Sequence, residues 1–290
     1  MFTAETQKVT HAGYTVDLSQ AENRIVAYEG GVLPMIEAFE TGRDVHCLTA
    51  GLILNKPPEF VSKEKGSSSL GDGTHSERDW GKKANHSLNY DIGPRTFSLD
   101  HEIAESQAKW IIARYHAIYP EIRNNYHAGI QQKINFNRTI VNLLGRKTFF
   151  GEQIDHDLYK AGYACLPQGT VGDIINRYGL NPLYYDSRFA AVKLMLQIHD
   201  EIVFQIPLAL GWREHSRLLR LLKQSLEVEL TTTNGKRTFV IPAEFKIFRQ
   251  CKNGIGLRTL EADELEAAWG SLKDRPVDYE TFFKQIGVSL

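Results

Sequence analysis

Strand-like alternation of apolar and polar residues occurs at three places along the chain. Residues 14–17 alternate as at the end of a strand, and the apolar segment that begins at Ile25 predicts that a helix follows. Residues 196–206 alternate around the polar triplet His199-Asp200-Glu201, which predicts a hairpin with this triplet at its tip. Residues 238–248 predict another strand.

Helical periodicity dominates the rest of the chain. The predicted helices cover residues 76–92, 100–119, 121–133, 170–178 and 215–230, and residues 188–194 are expected to be helical as well. Thr74 and Glu77 have the spacing of a capping box at the start of the first helix. A short strand is expected at 148–150, and the acidic stretch at 261–266 is typical of a solvated helix face. The pattern predicts a mixed α/β chain with a largely helical insertion between its strands.

One predicted helix carries an unusual set of side chains. Arg78, Lys82, His86 and Tyr90 recur at every fourth residue and therefore share one face. Two basic residues alone are typical of a solvated helix face. Two cations, an imidazole and a phenol in sequence along one face are less usual.

Composition and charge narrow the class of protein. The chain has 290 residues, of which 42% are hydrophobic and 24% charged, as in an ordinary globular protein. Its 34 basic and 35 acidic residues give a net charge of −1, so a nucleic-acid surface could only be local. No apolar run approaches the roughly 20 residues needed to span a bilayer, so we expect no membrane partner. The three cysteines have no zinc-finger spacing.

Two acidic residues stand at the ends of apolar strands. Asp17 ends the first strand, and Asp200 lies at the tip of the hairpin. Burying a polar group without a hydrogen-bond partner costs about 2–7 kcal/mol. Burying a carboxylate likewise costs several kcal/mol unless it is paired or bound to a metal. These positions therefore suggest a shared cation, and Mg²⁺ fits because it takes carboxylate and phosphate oxygens.

Three of these segments resemble the polymerase motifs of the family A DNA polymerases, the group of bacterial DNA polymerase I and the bacteriophage replicases. Residues 17–24, Asp-Leu-Ser-Gln-Ala-Glu-Asn-Arg, resemble the first motif, and residues 196–204, Leu-Gln-Ile-His-Asp-Glu-Ile-Val-Phe, resemble the third. Residues 78–90 are similar to the second motif on the fingers helix. Pro-Gln-Gly-Thr at 167–170 with Asp173 resembles a further family segment. The resemblance covers residues 14–250 and corresponds to the carboxy-terminal palm and fingers part.

The resemblance implies a fold and a division into domains. The fold is a mixed α/β chain, with an antiparallel palm sheet and a helical fingers insertion. The palm comprises residues 1–26 and 152–255, the fingers residues 27–151, and a carboxy-terminal tail residues 256–290.

The resemblance also implies a reaction, template-directed DNA synthesis by transfer of a nucleotide from a dNTP to a primer 3′-OH. Two Mg²⁺ ions are the implied cofactors. Asp17, Asp200, Glu201 and the Leu18 carbonyl match metal ligands, and Asp17, Asp200 and Lys82 match catalytic groups.

Other positions match residues that bind nucleotide or DNA. Those for the incoming nucleotide are Glu22, which excludes a ribose 2′-OH, and Arg78, Lys82, His86 and Tyr90. Those for DNA are Gln168 and His199 near the primer terminus, together with Arg24, a structural arginine of the first motif. The chain departs from the family pattern at two positions: His86 replaces Phe or Tyr, and Asp91 replaces Gly.

The expected partners are a primed DNA template, dNTP and a second polypeptide. The second polypeptide is expected because the first motif begins at Asp17, whereas family members place the thumb and any exonuclease before it. The expected location is the cytoplasm, that of a bacterial host if the chain is phage-encoded.

Two alternative functions stay open. One is a non-catalytic, polymerase-like subunit that binds primed DNA or assembles a replisome. The other is an HD-type metal phosphohydrolase, in which His199-Asp200 is the paired motif and His46 an upstream ligand. Strand-like alternation of residues 197–205 argues against the hydrolase, whose paired motif lies on a helix.

Overall fold

The computed structural model describes residues 9–249 and 254–273, which contain eleven α-helices and nine strands. The helices are α1 (Ala21–Gly30), α2 (Leu33–Glu40), α3 (Val45–Leu54), α4 (Glu77–Leu88), α5 (Pro94–Asp100), α6 (Glu105–Ile118), α7 (Ala128–Asn137), α8 (His156–Ile174), α9 (Asn181–Tyr185), α10 (Gly211–Leu226) and α11 (Ala262–Gly270). The strands are β1 (His11–Leu18), β2 (Thr139–Val141), β3 (Lys147–Phe149), β4 (Lys193–Ile198), β5 (Glu201–Pro207), β6 (Glu229–Thr231), β7 (Thr238–Val240), β8 (Ala243–Phe248) and β9 (Ile255–Leu257).

The described residues fall into two compact units. The first contains residues 9–19, 171–229, 240–249 and 254–273, and the second contains residues 20–170 and 230–239. The second unit is thus inserted into the first along the sequence.

The first unit is built on a five-stranded antiparallel sheet in the order β4-β5-β1-β8-β9. Strand β1 lies in the middle because nearly all of its side chains are apolar or small and become buried. Its Tyr14 ring stacks on Phe204 of β5 with ring centroids 5.5 Å apart. The sheet confirms the predicted fold class and joins the three predicted strand regions.

Helix α10 covers part of this unit's core. Its Leu218, Leu222 and Leu226 recur along one face and are all buried. A buried polar pair accompanies them, because the Tyr14 hydroxyl lies 2.7 Å from Nδ1 of His215, whose Nε2 donates to the Pro207 carbonyl at 2.9 Å. Both polar groups are therefore satisfied inside the core.

The second unit is mainly helical, with two-stranded ribbons formed by β2 with β3 and by β6 with β7. Helices α3 and α4 approach each other at Gly81, where a Cβ atom would lie 2.0 Å from the His46 carbonyl oxygen. Trp80, the neighbouring residue, is 1% exposed. Only glycine permits this approach of α4 to the α3 backbone.

The structure corrects two predictions around strands. Residues 188–194 do not form a helix, because a short 3-10 turn ends at Phe189 and β4 begins at Lys193. Pairing with β5 overrides the helix propensity of the Ala-Ala-Val-Lys-Leu segment. The predicted strand 238–248 divides into β7 and β8, because Pro242 lacks the N–H that a continuous ladder requires.

Several helix boundaries also differ from the prediction. Helix α4 ends at Leu88, and its capping box uses Ser76 and Asp79, whose side chain and backbone groups satisfy each other, instead of Thr74 and Glu77. The predicted helix 100–119 is α6 preceded by the separate α5, and the predicted helix 121–133 starts with a π-helical segment, Ile122–His127, and runs on into α7.

Helix α8 is much longer than the predicted helix 170–178. It begins at His156 and continues through Pro167 before the π-helical segment Ile175–Leu180. The predicted strand 148–150 pairs with a strand that the pattern did not indicate, β2, and the predicted acidic helix is α11. Among the described residues, none of the helices has the length and apolar character to cross a bilayer.

Candidate functional site

The first unit brings three carboxyl groups to one end of its sheet. The β1–β5 register pairs Val16 with Ile202, so Asp17 and Glu201 stand one step beyond that pair. The two-residue turn of the β4–β5 hairpin consists of His199 and Asp200, and Glu201 is the first residue of β5. Asp200 thus lies at the hairpin tip, as the sequence predicts. The turn is possible because His199 adopts a positive φ of 53°.

Asp17 is the electrostatically strained member of this group. Burial raises its pKa to about 7, and the charges of Asp200 and Glu201 contribute in the same direction, while Lys246 opposes them. Its Oδ1 is buried and has no hydrogen-bond partner among the described residues. A carboxylate oxygen in that condition accepts a proton or a cation.

The donor set fits Mg²⁺, which takes carboxylate oxygens and completes its shell with water and substrate phosphates. In the described part of the chain, no group of three or more acidic, His or Cys side chains is arranged to hold a metal by itself. Leu18 has a buried side chain and pairs with Ala243, and the role of its carbonyl stays a prediction.

The second unit holds the predicted nucleotide-binding face on α4. Lys82 and His86 are exposed, whereas Lys83 is half-buried with its Nζ 4.4 Å from the Trp80 ring centroid. Burial lowers the pKa of Lys83. The structure therefore presents Lys82, and not its neighbour, at the position of the four-residue repeat.

Arg78, one turn earlier, is held by an acidic residue. Its Nε donates to Oδ2 of Asp44 at 2.6 Å, and both side chains are about three-quarters buried. This ion pair joins the first turn of α4 to the N-terminus of α3. No motif or spacing in the sequence pointed to Asp44.

Tyr90 lies past the end of α4, in the turn that follows it. Its hydroxyl donates to the carboxylate of Glu22 on α1, and burial followed by the Glu22 charge raises the pKa of the tyrosine. The structure thus joins two of the predicted nucleotide-binding residues that stand 68 positions apart.

The unusual Asp91 follows directly. It has a positive φ of 55°, a conformation that glycine adopts readily, and its side chain accepts a hydrogen bond from Arg123 at 2.9 Å. Asp91 therefore combines a backbone conformation that favours glycine with an ion pair that glycine could not make.

A buried network fixes the same turn. Asn89 donates from its side-chain amide to Asn23 at 2.9 Å and accepts from the Tyr115 hydroxyl at 3.1 Å, while its carbonyl accepts from His127 at 2.8 Å. The backbone on either side of Tyr90 is therefore rigidly held.

His46 is a residue near this face that the motif comparison did not select. It is 3% exposed, its Nδ1 accepts from the Asn85 side-chain amide at 3.1 Å, and its ring centroid lies 5.8 Å from that of His86. Burial, followed by the charge of Arg78, lowers the pKa of His46 to about 3. The ring is therefore neutral at neutral pH. The sequence selected His46 only under the hydrolase alternative, as an upstream metal ligand, and its place as a polar residue in an apolar stretch was a further signal.

The predicted DNA-binding residues belong to different units: Gln168 and Arg24 to the second, and His199 to the first. Gln168 is exposed on α8, next to Gly169, whose carbonyl accepts from Arg146 at 3.0 Å. His199 is exposed in the hairpin turn of the first unit. Arg24 lies over the Phe39 ring at 4.3 Å, a contact within the second unit that suits a structural arginine.

Comparison with known proteins decides the family. The sequence model described as DNA polymerase family A matches residues 1–235. The chain belongs to DNA polymerase family A. The recognition from the three motifs is confirmed, and the HD-hydrolase alternative loses its support because His199-Asp200 lies between two strands.

Individual family A relatives match a smaller part of their own length. The chain is 31% identical to DNA polymerase I of Helicobacter pylori strain J99 over 199 residues, which are 66% of this chain and 20% of the relative. It is 27% identical to DNA polymerase I of Geobacillus stearothermophilus over 226 residues, 75% of this chain and 24% of the relative. The chain thus spans about a fifth to a quarter of these relatives.

A solved structure supports the fold. The polymerase domain of Pol1 from M. smegmatis, in complex with a DNA primer-template and dNTP, superposes with a TM-score of 0.65 at 20% identity. The match covers 82% of this chain and 39% of that one. The antiparallel sheet with its inserted helical unit is therefore a polymerase-domain fold.

Proposed function

We propose that this chain carries the palm and fingers of a template-directed DNA polymerase, which adds nucleotides from dNTPs to a primer 3′-OH. The observation that carries the proposal is the meeting of Asp17, Asp200 and Glu201 at one sheet end in a family A chain. The bound primer-template and dNTP of the M. smegmatis domain support DNA and dNTP as ligands here.

In this proposal residues 1–26 and 152–255 form the palm and residues 27–151 the fingers, so the second unit holds the fingers together with palm residues 20–26, 152–170 and 230–239. Asp17 and Asp200 would hold two Mg²⁺ ions, with Glu201 and the Leu18 carbonyl nearby. Bound Mg²⁺ would lower the pKa of the primer hydroxyl and neutralise charge that develops on the phosphates. The buried, unpartnered Oδ1 of Asp17 supports this assignment.

The second unit would bind the incoming nucleotide. Lys82 and Arg78 would neutralise the triphosphate, because phosphoryl transfer depends on positioning and charge stabilisation more than on covalent chemistry. His86 would offer a flat ring near the sugar and base. Glu22, fixed by its bond from Tyr90, would exclude a 2′-hydroxyl, and Tyr90 would stack at the template position.

DNA contacts complete the proposal. Gln168 and His199 would lie near the primer terminus, and Arg24 would support the first motif from its place over Phe39. The second polypeptide with a thumb stays a prediction, and size measurement of the chain alone and with a candidate partner tests it.

Primer extension on a primed template with Mg²⁺ and all four dNTPs tests the function. We expect incorporation that Asp200→Ala abolishes, whereas Glu266→Gln, an exposed acidic position on α11, leaves it unchanged. Binding of primed DNA without incorporation would favour the non-catalytic subunit. Full incorporation by Asp200→Ala would contradict the metal assignment.

A further inference from the structure

Asp44 uses its two carboxylate oxygens for different tasks. Oδ1 accepts from the backbone N–H groups of His46 at 3.0 Å and Cys47 at 3.2 Å, so it caps the N-terminus of α3. Oδ2 accepts from Nε of Arg78 at 2.6 Å. A carboxylate anchored by two backbone donors has a fixed position, and it therefore fixes its arginine partner.

The attachment through Nε determines what the guanidinium can still do. Nε is the inner donor, so the bond leaves the two terminal nitrogens, Nη1 and Nη2, outside the contact with Asp44. These two nitrogens form the planar fork that binds phosphate oxygens in pairs. Asp44 thus restrains Arg78 without using the donors that a phosphate needs.

A third segment completes the arrangement. The backbone N–H of Arg78 donates to the Ser62 carbonyl at 3.1 Å, and Ser62 N–H donates to Glu77 at 2.8 Å. Next to Ser62, Lys63 places its Nζ 3.3 Å from Oδ2 of Asp44. Arg78 and Lys63 therefore share one carboxylate, while the neighbouring Glu77 is paired with Lys56 at 2.6 Å.

The charges around Asp44 favour its ionised form. The bond from Arg78, the backbone donors and Lys63 hold the pKa of Asp44 well below its usual range, and they outweigh its partial burial. The pKa of Arg78 is raised by the same pair despite burial. His46 adds no competing charge because it is neutral.

We infer that Asp44 is a positioning residue that orients the Arg78 guanidinium for the triphosphate of the incoming nucleotide. The inference rests on the proposed function and extends it to a residue outside the three motifs. Asp44 does not touch the substrate in this scheme, and it acts through Arg78. Removing it frees the arginine to sample other rotamers, so nucleotide binding weakens although the cation is still present.

Two substitutions separate orientation from helix capping. Asp44→Ser keeps an oxygen that caps α3 but is too short to reach Arg78, whereas Asp44→Asn keeps the reach and loses the charge. Arg78→Gln removes the proposed phosphate contact itself. Glu37→Gln is the matched control, because it breaks an exposed ion pair of the same unit, Glu37 with Arg43 at 2.6 Å.

The readout is the affinity of the full chain for Mg·dATP on a primer-template with a dideoxy-terminated primer, measured by calorimetry. We expect Asp44→Ser to raise Kd about 10-fold, as Arg78→Gln does, and the double variant to be no weaker than Arg78→Gln alone. Asp44→Asn should fall between the serine variant and the wild type. In extension assays the KM for dATP should rise with a smaller change in kcat.

The outcomes separate the inference from the function on which it rests. A wild type that incorporates dNTPs, with Asp44→Ser binding nucleotide as tightly as Glu37→Gln, overturns the inference alone. Tighter binding by Asp44→Ser also overturns it, because Asp44 would then compete with the phosphates. A wild type that neither binds nor incorporates dATP overturns the proposed function and the inference with it. Thermal unfolding of each variant shows whether weaker binding reflects a loss of folding.

Discussion

The two units hold their candidate site residues in opposite ways. In the first, Asp17, Asp200 and Glu201 repel one another, and a buried oxygen of Asp17 has no partner among the described residues. In the second, Arg78 is held by Asp44, Tyr90 by Glu22 and His46 by Asn85. A set of like charges lowers stability until a cation arrives, whereas a set of mutually bonded groups is already arranged.

Because of this contrast, a bound cation should change the stability of the first unit more than a bound nucleotide changes that of the second. A divalent cation would relieve the repulsion in the first unit and so stabilise it. In the second unit Asp44 pairs with both Arg78 and Lys63, so a nucleotide would meet an arginine that is already held in place. The four predictions below test the contrast.

The largest effect is expected for Asp17→Asn. The substitution removes a buried charge that the neighbouring carboxylates repel, so the metal-free protein should become more stable by about 1–3 kcal/mol. Incorporation should fall by about 10³-fold or more, because the amide is a poor Mg²⁺ ligand. Thermal unfolding with and without Mg²⁺ and primer extension measure the two effects. If the metal-free wild type and metal-free Asp17→Asn unfold at the same temperature, the charge of Asp17 does not lower the stability of the first unit.

The second unit depends on backbone approach at Gly81. Gly81→Ala places a Cβ atom 2.0 Å from the His46 carbonyl oxygen and 2.8 Å from the Ala50 nitrogen, so α3 and α4 must separate. We expect a loss of more than about 3 kcal/mol in urea unfolding. The matched control is Gly129→Ala on α7, where a Cβ has no neighbour within 4 Å. This substitution should raise the free energy of unfolding by about 0.5–1 kcal/mol, because alanine favours a helix more than glycine does.

Adjacent lysines on α4 provide a smaller and more specific test. Lys82→Ala should raise the KM for dNTP by about 10-fold, because an exposed cation that neutralises phosphate is lost. Lys83→Ala should leave the kinetics nearly unchanged and lower stability slightly, since its Nζ packs on Trp80. Steady-state kinetics on one primer-template compare the two. The reverse pattern would assign the phosphate contact to Lys83.

The smallest effect concerns the neutral state of His46. Because its pKa in the folded protein, about 3, lies below the unfolded value of 6.5, the unfolded chain binds the extra proton as the pH falls. Stability is therefore lost from about pH 6.5 downward, and His46→Gln should reduce this acid loss by about 1–2 kcal/mol between pH 6.5 and 4.5. Denaturant unfolding across that range measures it. An unchanged slope in His46→Gln would mean that the imidazole accepts a proton in the folded state.

The resemblance to family motifs located most of the candidate residues before any coordinates. Asp17 at a strand end, the hairpin tip at Asp200 and the four-residue repeat from Arg78 are local features, so short stretches of sequence carry them. Local alternation also predicts the strands of the confirmed sheet, whereas its antiparallel palm arrangement was implied by the resemblance. The errors in element boundaries arose where pairing between distant segments determined the structure. The helix-prone residues before Lys193, for example, lead into β4 because β4 pairs with β5.

The sequence by itself determined the order of the elements, the family, and the chemical types at the candidate site. Only the tertiary structure decided which groups touch. Arg78 meets Asp44 across 34 positions, and Tyr90 meets Glu22 across 68. It also decided that Asp17 is strained and His46 neutral, because both depend on burial and on charges brought close by folding. Periodicity records only neighbours within a helix turn or a strand, and the electrostatics of this protein come from residues far apart in the chain.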